Sequence, residues 1–203
     1  MITLHKFEGK TEEDAINKCL SELSIEKEDI YLKESKEEAK FLKSKKYIIE
    51  VVKKEEVIDF IKEYIKELSD KMQIELNCEV RETNDTINVL LVSDKNAIII
   101  GKDGRNLNSI QILLRQAINI ACPFNIKIMV DASNYKSKKQ KNLEFDIKRI
   151  CREVLKTKVE AKLDPMNSFE RRLVHTIVGE YPDLESASEG EVPLRYTVIK
   201  YKS

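Results

Sequence analysis

At 203 residues, with 41% hydrophobic and 35% charged content, the chain has room for one large domain or two to three small ones with folded cores, and a disordered chain is excluded. Its 36 Lys+Arg balance 36 Asp+Glu, so overall charge points to neither nucleic acid nor membrane, and any electrostatic site has to be local. No apolar run approaches the roughly 18 residues of a membrane span, and the opening MITLHKFEGK lacks the apolar core of a signal peptide; the expectation is a cytoplasmic protein with no transmembrane segment.

Residues 1–53 read as a β-α-β-β unit. ITLHKFEG alternates like a strand, Thr11 is placed to cap a helix with Asp14 three residues on, and Ala15, Ile16, Cys19, Leu20 and Leu23 form a helical stripe. DIYLKES and KYIIEVVK follow as strands, with the charged KSKK as the tip of their hairpin. The run KKEE after Val52 marks a boundary.

Residues 54–131 read as α-β-β-α-loop-α-β. Val57, Ile58, Ile61, Tyr64, Ile65 and Leu68 give an amphipathic helix over 55–70. IELNCEVRE and TINVLLVS are strands turned at Asn84-Asp85; a short helix (95–100), a longer one (105–121) and the strand NIKIMVD complete the unit.

Residues 132–203 open on NYKSKKQKNLEFDIKRICREVLKTK, a helix with a basic first half and a stripe through Leu143, Ile147, Ile150, Cys151, Val154 and Leu155. VEAKL reads as a strand, and Asp164-Pro165 turns the chain into a helix from about 168 to 180, with Asn167 and Glu170 spaced as a capping box. EVPLRYTVIKY is a final strand. The fold class is therefore α+β in three small domains.

The four cysteines lie far apart with no Cys-x-x-Cys, and only His5 and His175 could join them, so no metal site is expected and the thiols read as reduced and mostly buried. Nor is there a phosphate-binding G-x-x-x-x-G-K-[ST] or a G-x-S-x-G nucleophile turn, so neither an enzyme nor a cofactor is expected.

Two stretches ask for a ligand. In AIIIGKDGRNLNSIQILLRQAINIA two of the chain's five glycines, Gly101 and Gly104, interrupt a helical pattern, which is either a tight helix-helix turn or a place where backbone must come close to a ligand. In FERRLVHTIVGEY, Arg171 and His175 are one turn apart on a helix whose core stripe is Leu173, Val174, Ile177 and Val178. That puts Arg171 at the stripe's edge and His175 with Arg172 progressively outward. The cluster is either a small cationic surface for phosphate and bases or a solvated face with Arg171 paired to a Glu.

The element order of 54–131 with Ile98-Ile99-Ile100-Gly101-Lys102-Asp103-Gly104 resembles the type II KH domain and its hydrophobic-I-G-x-x-G loop. The resemblance implies a loop that clamps about four single-stranded nucleotides, with Lys102 and Arg105 as point charges, Asp103 at a position often basic in relatives, and bases lying across a groove lined by Ile98, Ile99 and Ile100. Residues 55–130 nonetheless hold 9 Lys+Arg against 12 Asp+Glu.

LDPMNSFERRLVHTIV with SEGEVPLRYTVI resembles the R-three-H domain, a single-stranded nucleic-acid binder. By that resemblance Arg171 and His175 are the binding pair, Arg172 and Arg195 their supports, and the acidic residues of Ser188-Glu189-Gly190-Glu191 orient the basic cluster or its helix. Residues 131–203 carry 15 basic and 12 acidic groups.

The ordered set of a small unit opening near FEGKTEEDAI, a KH domain and an R-three-H domain resembles the Jag, or KhpB, family of bacteria over the full chain. Within it FLKSKKY replaces the glycine-containing end of the first unit that is common in relatives. The resemblance implies a single-stranded RNA-binding regulator linked to cell elongation and division, with a smaller single-KH protein and cell-division or envelope proteins as partners. A scaffold that docks proteins at the envelope, with weak or partner-dependent RNA binding, is the alternative.

Overall fold

The structure, a computed structural model, describes residues 1–37, 46–122 and 124–202. Its first strand, β1 (His5–Gly9), pairs antiparallel with β3 (Lys46–Lys53), which also takes β2 (Ile30–Glu37), so the last strand in sequence is central. Apart from Lys46, the KSKK tip expected between β2 and β3 lies outside the described residues. Helix α1 (Glu12–Leu23) covers one face of this sheet. Its start is set by reciprocal bonds: Thr11 Oγ1 accepts from the Asp14 amide at 3.1 Å, and Asp14 Oδ2 accepts from the Lys10 amide at 2.9 Å. The Lys10 amide, with the Lys18 ammonium, holds the Asp14 carboxyl below its ordinary value. Ala15, Ile16 and Cys19 are buried against Phe7, Ile30, Ile49 and Val51.

At KKEE the chain passes directly from β3 into helix α2 (Lys54–Met72). The carboxylate of Glu82, one element further on, joins the two sides of this junction: it accepts from the Tyr31 hydroxyl at 3.2 Å and lies 3.1 Å from Lys54 Nζ. Burial, then Glu82, push the Tyr31 phenol well above its ordinary range. Residues 1–133, with two of the three sheets, make up one compact unit, and residues 134–203 a second.

In the second sheet β4 (Asn77–Thr83) and β5 (Thr86–Val92) are antiparallel, and β5 pairs parallel with β6 (Lys127–Ala132). Both residues of the Asn84-Asp85 turn have positive φ, 50° and 55°, which suits the twist of a two-residue hairpin. A parallel partner needs a crossover. Here it is α3 (Asn96–Ile100), a four-residue turn and α4 (Arg105–Ala121). Leu107, Ile110, Leu114 and Ile118 of α4 and Val57, Ile61 and Ile65 of α2 are buried, with Ile87, Val89, Leu91 and Val130 of the sheet also closed to solvent.

The second unit holds α5 (Tyr135–Thr157), β7 (Ala161–Lys162), α6 (Ser168–Val178), β8 (Leu184–Glu189) and β9 (Tyr196–Tyr201), with β9 central in an antiparallel sheet. Ile147, Cys151 and Val154 pack with Val174, Ile177, Val178, Leu184 and Ile199. The strand expected at VEAKL keeps only two ladder residues: it is an edge strand, and Pro165 follows without an N–H to donate. Two further bonds hold this segment, from the Leu163 amide to Thr197 O of β9 and from the Met166 amide to Arg195 O just before it. LESASE, for which the sequence predicts no strand, forms β8. Cys19, Cys122 and Cys151 are buried and Cys78 is half-buried; all four are free, with thiol pKa values raised chiefly by burial.

The start of α6 is a full capping box. Asn167 Oδ1 accepts from the Glu170 amide and Glu170 Oε2 from the Asn167 amide, both at 3.0 Å, while Glu170 Oε1 lies 2.8 Å from Lys139 Nζ of α5. Replacing Asn167 by Ala removes a cap worth about 1 kcal/mol. Hydrogen exchange on the full chain should show the first-turn amides of α6 exchanging about fivefold faster, with α4 unchanged.

Candidate nucleic-acid interface

The interruption between α3 and α4 is a built loop. Gly101 has φ 69° and ψ 179°, a conformation open in practice only to glycine. A Cβ there would also lie 2.6 Å from Asn106 Cγ. That amide is a latch: Asn106 Nδ2 donates to the Ile98 carbonyl at 2.8 Å and ties the first turn of α4 back across the loop to α3. The Gly101 amide donates to Ala97 O at 2.9 Å and the Gly104 amide to Gly101 O at 3.3 Å. Asp103 and Gly104 follow in the left-handed region, with φ 56° and 81°.

Lys102, Asp103 and Arg105 are exposed on this turn. The N-cap of α4 is Gly104, which has no side chain to bond the first-turn amides, and the positive end of the helix dipole faces the loop beside Lys102 and Arg105. The three isoleucines divide. Ile98 is 48% exposed and Ile100 half-buried, whereas Ile99 is 0% exposed and belongs to the core. The expectation that Ile99 lines the groove is corrected: one helical turn cannot direct three consecutive side chains to one face.

The second candidate cluster lies in the other unit. Arg171 is half-buried and its Nη1 donates to the Met166 carbonyl at 2.8 Å; the Met166 amide in turn donates to Arg195 O at 3.1 Å. Arg171 and the backbone of Arg195 are thus linked through one residue, and no Glu partners the Arg171 guanidinium among the described bonds. The Arg172 and Arg195 side chains are exposed.

His175 does not point outward as expected. Its Nδ1 lies 2.7 Å from Ser186 Oγ and its Nε2 2.9 Å from Ser188 Oγ, so both ring nitrogens are engaged. The two serines alternate along β8 and so present their hydroxyls on the same face. Because a hydroxyl both donates and accepts, this bracket fits either neutral tautomer and the imidazolium. Nor does the acidic pair orient the arginines: Glu189 Oε2 accepts from the Tyr196 hydroxyl at 3.3 Å and Glu189 Oε1 lies 3.7 Å from Lys200 Nζ, while Glu191 is exposed.

Asn106 and Ser186 escape a reading by motif, and Ser188, though it stands in the Ser188-Glu189-Gly190-Glu191 stretch, is not paired with His175 by it. The serines carry a period-2 signal in a stretch without β-branched residues, and nothing marks Asn106 except its nearness to the glycines. Among the described residues, no group of three or more His, Cys, Asp or Glu is arranged to hold a metal ion, and no helix is long and apolar enough to cross a membrane.

Comparison with known proteins bears on both clusters. Residues 58–130, which contain the glycine loop, match the KhpA/KhpB KH domain, and residues 141–201, which contain Arg171 and His175, match the R-three-H domain; both are binding modules rather than enzymes. The chain is 33% identical over 199 residues to the RNA-binding protein KhpB of Clostridium symbiosum, covering 96% of this chain and 90% of that protein. It is 28% identical over 200 residues to the RNA-binding protein KhpB of Bacillus subtilis (strain 168), covering 96% of each. With both modules in that order and a relative of this identity aligned along nearly its whole length, the chain belongs to the KhpB family.

Proposed function

We propose that this chain binds single-stranded RNA through two patches, the turn Gly101–Arg105 with Ile98 and Ile100, and the α6 surface of Arg171, Arg172 and His175 with Arg195. The observation that carries this reading is the loop itself. Its backbone is bent into a glycine-only conformation, latched by Asn106, and presents Lys102 and Arg105 beside the start of α4. Glycines leave room for a sugar-phosphate backbone, and the dipole and cations favour its charge.

The second patch combines an anchored Arg171 with exposed Arg172, two geometries suited to phosphate and to base stacking. His175, held between two serines, has both ring nitrogens engaged and would meet RNA through its ring rather than a free nitrogen. Two modest sites on one chain raise effective affinity for a strand that reaches both, which suits a KH segment with an acidic excess. The RNA-binding names of the relatives support the same reading. In the cell we place the protein in the cytoplasm, as a post-transcriptional regulator linked to elongation and division that partners a smaller single-KH protein.

A scaffold reading is favoured by one feature: Val92 and Met129 stand 49% and 50% exposed on the otherwise mostly polar solvent face of the second sheet, two apolar side chains open to a protein such as a cell-division or envelope component. Salt separates the two readings, since phosphate binding weakens steeply with ionic strength and apolar docking does not.

Anisotropy titration of single-stranded RNA by the full chain should show Lys102→Asp lowering affinity about tenfold and flattening the salt dependence, and Arg171→Ala with His175→Ala lowering it further. RNA affinity untouched by the second pair would remove α6 from the interface. Ser186→Ala with Ser188→Ala should lower affinity by about threefold to tenfold while leaving the thermal midpoint within a few degrees, because the ring loses its bracket and not its packing.

A further inference from the structure

The solvent face of α5 is absorbed by neither patch. Taking about 100° per residue, Lys138, Lys141, Phe145, Arg149, Arg152 and Lys156 fall within about 45° of one line, opposite the buried Ile147, Cys151 and Val154, and they span about 27 Å along the axis. All six are exposed, and Phe145, midway along, is 65% exposed. No acidic residue lies on that line. Glu144 and Asp146 stand to either side, paired with Lys148 at 2.7 Å and with Arg149 at 3.7 Å, and Glu153 lies at the margin. Lys138, Lys141 and Lys156 have no ion-pair partner among the described residues, and Arg152 uses one N–H on the Lys148 carbonyl.

Equal numbers of cations and anions scattered over a chain do not produce such a line by local pairing, which would mix the signs at i, i+4 spacing. The first turn is also placed against its own helix: Lys138 stands where the macrodipole is positive, with no acidic residue in that turn and no side-chain cap at Asn134. An incoming polyanion relieves both. A membrane surface fits less well, because the stripe has a single apolar side chain and the opposite face is committed to the core, leaving nothing to enter the acyl boundary.

We infer, resting on the RNA-binding reading above, that the outer face of α5 is a third RNA contact: a track for the phosphates of a strand longer than the two motifs need, with Phe145 as a stacking platform. Cations along a helix with an aromatic among them are what sequence-tolerant binding of single strands requires.

The test uses the full-length chain carrying Lys138→Gln, Lys141→Gln, Arg149→Gln and Arg152→Gln together, titrated with a long (about 20-nucleotide) and a short (about 6-nucleotide) oligouridine at several salt concentrations. Affinity for the long strand should fall at least about tenfold, and its log–log salt slope should become shallower by about 2 to 3, at roughly 0.7 for each phosphate left without its cation, while the short strand binds as before. Phe145→Ala alone should weaken the long strand severalfold, and the charge-preserving Lys138→Arg with Lys141→Arg should not. An unchanged salt slope for the long strand overturns the track, and so does loss confined to anionic phosphatidylglycerol vesicles with RNA binding intact. If the quadruple variant is unfolded by circular dichroism, Lys141→Glu alone carries the same comparison. Should the α5 variant lose RNA while Lys102→Asp and Arg171→Ala/His175→Ala keep it, the track stands and the two-motif reading falls; the reverse pattern leaves that reading standing without the track.

Discussion

The conformation at Gly101 is the constraint around which the first candidate site is arranged. A crossover from β5 to β6 has to reverse direction, and here it does so in four residues, with Gly101 in a region closed to other side chains and the Asn106 amide filling the space a Cβ would take. Once that turn is latched to the Ile98 carbonyl, the rest follows. Ile99 is directed into the core, Ile98 stays outside, Lys102 and Arg105 flank the opening of α4, and its four buried residues hold the helix against the sheet. Loop shape is thus set by bonds within the protein, so a ligand meets a preformed backbone and the ordering cost of binding is small.

The second unit solves a related problem with side chains. Glu170 closes the capping box with one oxygen and meets Lys139 of α5 with the other, fixing where α6 begins; Arg171 is then fastened to Met166, and His175 is bracketed by β8. Rigid placement of a few polar groups compensates for the zero net charge of the chain as a whole. Charge is arranged locally: along the outer face of α5 no acid stands in the line of cations, whereas Asp103 sits between Lys102 and Arg105 in the glycine turn.

Much of this is legible in the sequence alone. Caps at Thr11 and Asn167, the turn at Asn84-Asp85 and the stripes of α1, α2 and α5 follow from local rules, because each depends on residues within a turn of one another. Where the reading fails, the deciding partner lies far away in sequence. Four of the six residues of β8 are polar and none is β-branched, so only pairing with β9 makes them a strand. His175 looks outward from its place on the helical wheel, yet Ser186 and Ser188 come from that unforeseen strand. VEAKL alternates well and still forms only two ladder pairs, since an edge position ahead of Pro165 sustains no more.

That the glycine turn and the α6 surface both meet RNA is tested most directly by residue-resolved amide chemical shifts of the full chain as a short single-stranded RNA is added at low salt. Binding at the two patches requires the largest shifts at Gly101 to Arg105 and at Arg171, Arg172, His175 and Arg195, reversed as salt is raised. Shifts confined to the solvent face of the β4–β6 sheet, or none at either patch, would contradict it.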